Sequence, residues 1–252
     1  MASVKPKKHL GQHFLTDQNI AKKIVDSLVN QGGGKVIEVG PGTGVLTQHL
    51  IHRFDTFEAY DVDQESIDYL KATYPTHESQ FLLRDYLSHP IEDENVAIIG
   101  NFPYNISSQI FFKIWDDRNK VHEVVGMIQK EVADRICSRH GNKVYGILSV
   151  LLQAFYDIEY LFKVPPGVFN PPPKVQSAVI RLKRNATEKL PCDEGLFKKV
   201  VKAGFGKRRK TLRNALKDLN LSGMENVQHF LDKRAEQLSV EEFISLTTKI
   251  TA

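Results

Sequence analysis

The tetrapeptide Asn101-Phe102-Pro103-Tyr104 follows the apolar run of residues 96–100. It brings together an amide, a backbone carbonyl without a neighbouring donor and an aromatic ring. The amide oxygen and the carbonyl can accept hydrogen bonds from both hydrogens of an amino group, while the Tyr104 ring stacks on the flat ring that bears it. These groups favour chemistry on a nucleobase nitrogen. A polar turn capped by Asn101 would use the same residues, so the rest of the chain has to decide.

A glycine-rich loop follows the first predicted strand and opens the next helix, a context in which a cofactor can approach the backbone closely. The loop contains an acid and three alternating glycines: Glu38, Gly40, Gly42 and Gly44. A dinucleotide-binding loop, G-x-G-x-x-G, would need a glycine at Val45 or Thr47, and neither position has one. The acid and the G-x-G-x-G spacing instead resemble the S-adenosylmethionine loop of class I methyltransferases.

Two acids follow the glycine loop at the ends of the next predicted strands. Asp61 stands about twenty residues beyond the loop, the separation expected of a carboxylate that accepts hydrogen bonds from ribose hydroxyls. Asp63 is a weaker candidate for the same role, and Asp85, which follows the third strand, could accept a hydrogen bond from the amine of a cofactor's adenine. Each acid alone would suit a helix cap or a solvated turn. Their order at successive strand ends favours a nucleoside-binding edge.

Short β-type runs alternate with helical patterns through most of the chain, which indicates a parallel sheet covered on both faces. The predicted strands span residues 35–39, 56–60, 80–83, 96–99 and 124–128. The predicted helices span residues 45–53, 66–74 and 107–115, after a first helix capped by Thr16 or Asp17. Two further strands, 157–164 and 176–182, should add an antiparallel edge. Ligands of such sheets bind beyond the carboxyl ends of the strands.

The character of the chain changes near Asn185, after which β-type runs disappear. Helical patterns then span residues 196–203, 211–219, 227–231 and 240–250. We therefore predict an α/β fold in residues 1–185, a Rossmann-like class I methyltransferase sheet that is mostly parallel with an antiparallel edge. Residues 186–252 should form a small all-α domain.

The composition is that of a folded protein, with 41% hydrophobic and 25% charged residues in a chain of 252. A net charge of +4, from 34 basic and 30 acidic residues, is too small to indicate a polyanionic partner by itself. The two cysteines, Cys137 and Cys192, lack the spacing of a zinc site or a disulfide framework. No run reaches membrane-spanning length, so we expect a cytoplasmic protein without membrane contact. Separately, we expect a monomer.

Short motifs along nearly the whole chain resemble those of a single protein family. They are Gly11-Gln12-His13-Phe14-Leu15, residues 38–44, Asp61, Asp85, residues 101–107, Gln129-Lys130-Glu131, Tyr145-Gly146, Val164-Pro165-Pro166 with Phe169, residues 171–175 and Arg208-Arg209-Lys210. Together they resemble those of the ribosomal RNA adenine N6-dimethyltransferases. Within that family they are most similar to the small-subunit enzymes, which modify two adjacent adenines near the 3′ end of the RNA.

By this resemblance the cofactor is S-adenosyl-L-methionine. Its contacts are expected at Gln12, His13, Leu15, Glu38, Gly40, Gly42, Gly44, Asp61, Asp85 and Asn101. Three positions depart from the commonest family pattern: His13 stands where Asn is usual, Asp61 where Glu is usual, and Phe102 where Leu or Ile is usual. Asp61 keeps its acceptors and Phe102 should pack in the core. His13 could contact the cofactor through its side chain or through its backbone.

The expected reaction is methyl transfer to the N6 amine of an unpaired or extruded adenine. Asn101 Oδ1 and the Pro103 carbonyl would accept the hydrogens of the amine and align its lone pair, while Tyr104 stacks on the base. Phe169 is expected either to cover the other face of the base or to hold its Pro-rich loop in the core. This chemistry requires no metal.

Basic residues predict contacts with RNA phosphates, which dominate affinity for nucleic acids. The predicted contacts are Lys7 and Lys8 in the N-terminal arm, with Lys5 beside them, Lys174 in the Pro-rich loop, and Arg208, Arg209 and Lys210 before a C-terminal helix. A solvated charge run would show the same pattern. The resemblance implies that residues 186–252 form an RNA- or ribosome-binding domain, and it favours small-subunit ribosomal RNA within a pre-ribosomal particle as the partner.

Three other functions stay open on the sequence alone. A large-subunit RNA methyltransferase would share the catalytic motifs, although the Pro-rich loop and the basic C-terminal segment fit the small-subunit enzyme better. An RNA-binding assembly factor would use the basic segments, with methylation secondary. An NAD-dependent oxidoreductase is disfavoured by the spacing of the glycine loop.

Overall fold

The computed structural model describes residues 4–251, so the outermost residues of the two predicted domains, 1–3 and 252, lie outside it. Its strands are β1 (Phe14–Leu15), β2 (Val36–Val39), β3 (Phe57–Asp61), β4 (Phe81–Leu83), β5 (Val96–Asn101), β6 (Val121–Gln129), β7 (Tyr156–Val164), β8 (Phe169–Asn170) and β9 (Ser177–Arg184). Its helices are α1 (Gln18–Asp26), α2 (Thr47–Leu50), α3 (Gln64–Thr73), α4 (Ser107–Asp116), α5 (Lys130–Cys137), α6 (Ile147–Gln153), α7 (Glu194–Gly206), α8 (Leu212–Ala215), α9 (Gln228–Leu231) and α10 (Val240–Thr248).

Within the described residues, seven strands form one sheet in the order β4-β3-β2-β5-β6-β9-β7. The neighbours from β4 to β6 pair in parallel, and β9 pairs antiparallel to β6. Every residue of β2 is buried, as are all but the last of β5, because elements cover both faces of the sheet. The predicted fold class, a mostly parallel sheet with an antiparallel edge, is confirmed.

The chain order reverses at β2, which lies between β3 on one side and β5 on the other. Glu38 pairs with Ile99 and Val39 pairs with Tyr60, so the carboxyl ends of these three strands meet at one edge of the sheet. Such a reversal leaves a crevice between the loops that leave neighbouring strands. The glycine loop, Asp61 and Asn101 all lie at this edge.

The first helix shows how local sequence sets an element. The Asp17 side chain accepts a hydrogen bond of 2.9 Å from the Ile20 backbone nitrogen and caps α1, so Asp17 rather than Thr16 is the cap. Ala21, Ile24 and Val25 form the buried stripe of the helix. Amphipathic spacing therefore predicted this element correctly.

Several short elements were not predicted. Strands β1 and β8 pair antiparallel, Phe14 with Asn170 and Leu15 with Phe169, but two-residue strands have no periodic signal. Helix α6 was missed because residues 148–152 are all buried, so its apolar residues form a continuous run rather than a stripe. The helix expected over residues 211–219 instead stops at Ala215 and continues as a 3-10 turn, Lys217–Leu219.

The described chain forms two compact units. The first runs to Ala133 and resumes over Ile158–Arg184, and the second comprises Asp134–Asp157 and the chain from Asn185 onward. The second unit is mainly helical and packs the Tyr145 and Phe205 rings 5.8 Å apart, centroid to centroid. Residues 134–157, which the sequence prediction placed with the sheet, therefore cluster with the C-terminal helices.

Candidate active site

A cleft of about 220 Å³ lies beyond the carboxyl ends of β2, β3 and β5. The predicted site residues that line it are Gln12, His13, Gly40, Gly42, Asp61, Asp85, Asn101, Pro103 and Tyr104. Residues that are far apart in sequence, from the N-terminal arm, the glycine loop and three strand ends, thus meet in one place. Leu15, Glu38, Gly44 and Phe169 were also predicted to belong to the site but do not line this cleft.

The glycine loop forms one wall of the cleft. Gly40 has a φ of 72°, and its nitrogen donates a 2.9 Å hydrogen bond to the Tyr60 carbonyl, which fixes the exit from β2. Gly42 has a φ of 54°, and a Cβ at that position would lie 2.7 Å from Cε1 of Phe14. Only glycine adopts this backbone without strain while letting the arm approach so closely. Gly44 instead faces Leu70 of α3, which explains why it does not line the cleft.

Glu38 stabilises the glycine loop from within the protein core. The side chain is 1% exposed, and its Oε2 accepts a 2.7 Å hydrogen bond from the Thr47 hydroxyl in α2. Burial, together with the nearby Asp61, raises the pKa of Glu38 to about 8, while the Thr47 hydrogen bond opposes the shift. Burial thus favours the neutral form of Glu38, and the hydrogen bond to Thr47 links the end of β2 to the start of α2.

Asp61 ends β3 and faces the cleft with 7% exposure. Its Oδ1 accepts a 2.9 Å hydrogen bond from the Asp63 nitrogen, and its Oδ2 accepts one of 3.3 Å from the Gly42 nitrogen. Burial raises the pKa of the carboxyl, and these backbone donors oppose the rise. Each carboxylate oxygen can accept a second hydrogen bond, so Asp61 can still hold hydroxyl donors.

Asp85 is exposed at the far side of the cleft, where its Oδ1 accepts a 2.9 Å hydrogen bond from the Leu87 nitrogen. Two apolar residues line the cleft beside the acids and were missed by sequence reasoning. Val62 is 52% exposed although it lies between two buried acids, and Leu87 follows Asp85 by two positions. An apolar residue one or two positions after a strand-end acid was the signal that could have found them.

Asn101 ends β5, and its orientation is set by the arm. The side-chain Nδ2 donates a 2.8 Å hydrogen bond to the carbonyl of His13. Because a carbonyl only accepts, the NH₂ group must face His13, which leaves Oδ1 available to a donor in the cleft. The backbone of His13 thus selects the chemical character that Asn101 presents.

The neighbouring Phe102 is fully buried and points its ring at two glycines of the sheet. A Cβ at Gly126 would lie 2.6 Å from Cε2 of this ring, and one at Gly100 would lie 2.9 Å from Cε1. The ring also packs edge-on against Phe111, with centroids 5.9 Å apart. Phe102 therefore fixes the backbone between Asn101 and Pro103.

The Pro103 carbonyl oxygen accepts a 3.2 Å hydrogen bond from the Ile106 nitrogen. The expectation that this carbonyl lacks a neighbouring donor is therefore wrong, because the start of α4 folds back onto it. A carbonyl oxygen has two lone pairs, so one acceptor position is left for a ligand.

The Tyr104 ring is held on two sides. Its hydroxyl lies 2.5 Å from the Ser177 Oγ, and its centroid lies 5.2 Å from that of the His13 ring at an interplanar angle of 30°. His13 Nδ1 lies 2.8 Å from the Pro171 carbonyl, so that nitrogen carries a proton and donates it. His13 therefore orients Asn101 through its backbone carbonyl and contacts Tyr104 through its ring.

Comparison with known proteins identifies the group to which this arrangement belongs. The family model described as ribosomal RNA adenine dimethylase matches residues 3–252. The chain belongs to this family. The predicted resemblance is thus confirmed over nearly the whole chain, including the segments that line the cleft.

Curated relatives in the ribosomal RNA adenine dimethylase family are close in sequence. A protein of Cytophaga hutchinsonii is 57% identical over all of this chain and 99% of its own length, and one of Flavobacterium johnsoniae is 54% identical over 100% and 98%. Both are named ribosomal RNA small subunit methyltransferase A.

Two solved structures share the fold. A dimethyladenosine transferase from Plasmodium falciparum has a TM-score of 0.77 at 24% identity, covering 93% of this chain and 96% of its own. The 23S rRNA methyltransferase ErmE has a TM-score of 0.69 at 22% identity, covering 93% of this chain and 99% of its own. Both therefore support the class I methyltransferase architecture.

Phe169 and Leu15 occupy the core rather than the cleft. Phe169 is 4% exposed and Leu15 is 2% exposed, and the two pair across β1 and β8 inside the hydrophobic cluster under the sheet. A ring buried there does not reach a base in the cleft. The stacking role expected for Phe169 is therefore not supported, and the alternative, a residue that holds the Pro-rich loop in the core, fits its position.

The predicted RNA-contact residues differ in their surroundings. Lys7 forms ion pairs with Asp63 and, at 3.3 Å, with Glu65, whereas Lys8 and Lys174 are exposed. In the second unit, Arg208 donates to the carbonyls of Lys143 and Tyr145 at 2.6 and 3.1 Å. Arg208 and the two residues after it, Arg209 and Lys210, are all exposed. Two of the residues predicted to contact RNA, Lys7 and Arg208, thus have side-chain partners within the protein.

Outside the cleft, the described residues offer few other candidates for a reactive or ligand-binding site. Over residues 4–251, no helix is both long and apolar enough to span a membrane, and no three potential metal ligands cluster. Cys137 and Cys192 are free, and burial raises the pKa of both thiols. The cleft is therefore where the described side chains are best arranged for chemistry.

Proposed function

We propose that this protein dimethylates the N6 amines of two adjacent adenines near the 3′ end of small-subunit ribosomal RNA, with S-adenosyl-L-methionine as the methyl donor. The reaction would take place in the cytoplasm during maturation of the subunit. The observation that supports this most strongly is the Asn101 amide, whose oxygen is left available beside a glycine loop and two strand-end acids.

The donors and acceptors of the cleft fit S-adenosyl-L-methionine, which would supply an electrophilic methyl group on a positively charged sulfur. Asp61 would accept hydrogen bonds from the ribose hydroxyls, and Asp85 would accept one from the adenine amine. Val62 and Leu87 offer apolar faces for the adenine ring. The loop glycines allow the ligand to approach the backbone without a Cβ between them.

The chain's own residues would prepare the target amine for attack. The N6 lone pair of adenine is delocalised into the ring, so the amine must be held with its lone pair turned toward the methyl group. Asn101 Oδ1 and the Pro103 carbonyl would accept its two hydrogens, and this alignment supplies much of the rate. With the amine held in this way, bound S-adenosyl-L-methionine would supply the methyl carbon with its thioether as the leaving group, and the product ammonium would release a proton to solvent.

Tyr104 would hold the base that carries this amine. Its hydroxyl is fixed by Ser177 and one side of its ring is fixed by His13, so the ring is pre-oriented for stacking. After the first transfer, one hydrogen remains on N6. We assign that hydrogen to Asn101, because the Pro103 carbonyl already accepts from Ile106.

The RNA substrate is proposed from the named relatives and from exposed basic residues. Relatives of 48–57% identity are named small subunit methyltransferases, which favours the small-subunit RNA over the large-subunit alternative. Lys8 and Lys174 in the first unit, and Arg209 and Lys210 in the second, are exposed and suited to phosphates. The partner would be the RNA within a pre-ribosomal particle, bound by a monomer.

The test is to incubate the protein with an isotopically labelled methyl donor and unmodified ribosomal particles of each subunit. Digestion and mass spectrometry should then find labelled N6,N6-dimethyladenosine in small-subunit RNA at two adjacent adenines. Label confined to large-subunit RNA would replace the proposal with its alternative. Assembly activity without any label would identify an RNA-binding assembly factor instead.

A further inference from the structure

We propose that Asp63 is a positioning residue. It holds residues 7–13, here called the arm strap, closed over the cofactor end of the cleft and thereby sets the orientation of Asn101. The proposal rests on the proposed function, because the strap would act on the same cofactor and the same target amine.

Asp63 collects hydrogen bonds from two separate parts of the chain. Its side chain is buried, and it caps α3 by accepting from the Glu65 nitrogen and the Ser66 hydroxyl, both at 3.1 Å. From the arm it accepts a hydrogen bond from Lys7 Nζ and another, at 3.3 Å, from Gln12 Nε2. A helix cap needs only the first pair of contacts. The second pair ties the arm to the end of β3.

The arm strap is stiffened by its own contacts. The Gln12 Oε1 accepts a 2.8 Å hydrogen bond from the Lys7 nitrogen, and the Leu10 nitrogen donates to the Lys7 carbonyl at 3.1 Å. Gly11 turns the chain with a φ of 66°, and a Cβ there would lie 2.6 Å from Asn105 Oδ1. Residues 7–13 therefore behave as one stiff segment, so the hydrogen bonds that Lys7 and Gln12 make to Asp63 hold the whole strap rather than one side chain.

The strap has two connections to the proposed chemistry. Leu10, Gly11, Gln12 and His13 line the cleft next to Asp61 and Asp85, so the strap forms a wall of the cofactor pocket. The His13 carbonyl accepts the hydrogen bond that orients Asn101. Opening the strap would remove a cofactor wall and release the Asn101 amide at the same time.

This assignment changes the role of Lys7. The carboxylate partner of Lys7 is buried, and a buried carboxylate that loses its cation is costly. Lys7 would have to give up these ion pairs to bind an RNA phosphate, so it is poorly suited to that role. Its neighbour Lys8 is exposed and suits the phosphate role. The two adjacent lysines therefore have different functions and provide a matched pair for an experiment.

The experiment compares Lys7→Met with two controls, Lys8→Met and Lys22→Met, in the full chain. Lys22 forms an exposed ion pair with Asp26, four residues further along α1. Calorimetric titration with S-adenosylhomocysteine should show about tenfold weaker binding for Lys7→Met. Both controls should bind it as the wild type does. Lys8→Met should instead reduce the salt dependence of RNA binding, by about 0.7 in the logarithmic slope.

Hydrogen exchange provides a readout that does not depend on ligand or activity. In Lys7→Met, the amides of Leu10 and Gly11 should exchange faster than in the wild type, whereas those of α3 should not change. Gly11→Ala should weaken S-adenosylhomocysteine binding in the same direction with every charge retained, because its Cβ collides with Asn105. At saturating methyl donor, Lys7→Met should also show a lower kcat, because Asn101 loses its fixed orientation.

Unchanged S-adenosylhomocysteine affinity and unchanged exchange in Lys7→Met would overturn the role of the strap. That result would leave the proposed function intact if the wild type still methylates RNA. Conversely, a wild type that binds S-adenosylhomocysteine but methylates no RNA would refute the proposed function, and the binding comparison would still decide whether Asp63 holds the strap.

Discussion

The Asn101 amide illustrates, at the scale of single residues, how a neighbouring backbone group selects what a side chain can do. An amide can present either a donor or an acceptor, and the His13 carbonyl leaves only the acceptor for the cleft. Tyr104 is constrained in a similar way by Ser177 and His13. The positions of both side chains are therefore set before any substrate is bound.

The two functions of Tyr104, ring and hydroxyl, can be separated by substitution. Tyr104→Phe keeps the stacking face and loses only the contact with Ser177, so we expect KM for RNA to stay within a few-fold of the wild type. Tyr104→Ala removes the face, and stacking is worth about 1–3 kcal/mol per base, so KM should rise about tenfold or more. Steady-state kinetics with RNA as the varied substrate measures both. Equal losses in the two variants would mean that the hydroxyl, not the ring, is what matters.

The buried Glu38 predicts a pH dependence of stability. Its pKa is raised to about 8 from 4.5, so between these values the unfolded chain releases a proton that the folded chain keeps. Stability should therefore fall as pH rises through this window. Glu38→Gln keeps an acceptor for Thr47 but cannot ionise, so its unfolding free energy should depend less on pH. Urea unfolding at about pH 5 and about pH 8 measures the slope.

A matched control for Glu38 is Glu225→Gln, which changes an exposed glutamate in the second unit. It should keep the pH dependence of the wild type. If Glu38→Gln also kept that dependence, the carboxyl would already be ionised in the folded protein at neutral pH.

At the scale of elements, the glycines of β5 and β6 determine where the end of β5, which carries Asn101, lies. Gly100 and Gly126 are paired in register, and the Phe102 ring packs against both. Any side chain at Gly126 would occupy the space of this ring. The sheet thus holds Asn101 and Pro103 in place through the buried residue between them.

Gly126→Ala should therefore affect both stability and chemistry. A Cβ placed 2.6 Å from the Phe102 ring forces the ring or the strand to shift. We expect a loss of about 1–3 kcal/mol in unfolding free energy, as for other overpacked cores, and a lower kcat. Gly206→Ala is the control, since a Cβ there meets nothing within 4 Å and should not destabilise. Chemical denaturation and single-turnover methylation give the two readouts, and an unchanged kcat would contradict the role of Phe102.

The elements also show what the sequence could and could not predict. Strands β2 to β6 were expected within a few residues of their true bounds because buried apolar runs mark them clearly. The contact of Leu15 with Phe169 was not foreseen, because two-residue strands have no pattern, and this is why the position of Phe169 was left open between base and core. The Lys7–Asp63 pair joins residues 56 positions apart in sequence, and no local signal reports such a contact.

At the scale of the whole molecule, the chain separates into a sheet-containing unit and a mainly helical unit. The family motifs of the cleft lie in the first, and the Arg208-Arg209-Lys210 motif lies in the second. Within the second unit, Arg208 closes a connection between α7 and residues 143–145 through two carbonyls. Arg208, Arg209 and Lys210 are all exposed, but only Arg208 is shown donating to carbonyls within the unit.

This difference predicts separable effects. Replacing Arg209 and Lys210 together by Gln should lower RNA affinity and reduce its logarithmic salt slope by about 1.4, while thermal stability stays unchanged. Arg208→Gln should instead lower stability, by about 0.5–1 kcal/mol, because two carbonyls lose a charged donor at an exposed position where water can replace it only in part. Filter binding at several salt concentrations and thermal melting measure these effects. A salt slope that stays constant in the double variant would exclude these two residues as phosphate contacts.

The most direct test of the central claim compares Asn101→Ala with the wild type in single-turnover methylation of small-subunit ribosomal RNA. S-adenosylhomocysteine affinity is measured alongside, so that loss of cofactor binding can be recognised. We predict that the variant binds S-adenosylhomocysteine within a few-fold of the wild type and transfers methyl groups about 100-fold more slowly or worse, since an electrostatic contact to the reacting group is lost. N6,N6-Dimethyladenosine formed at nearly the wild-type rate would contradict the alignment role of Asn101.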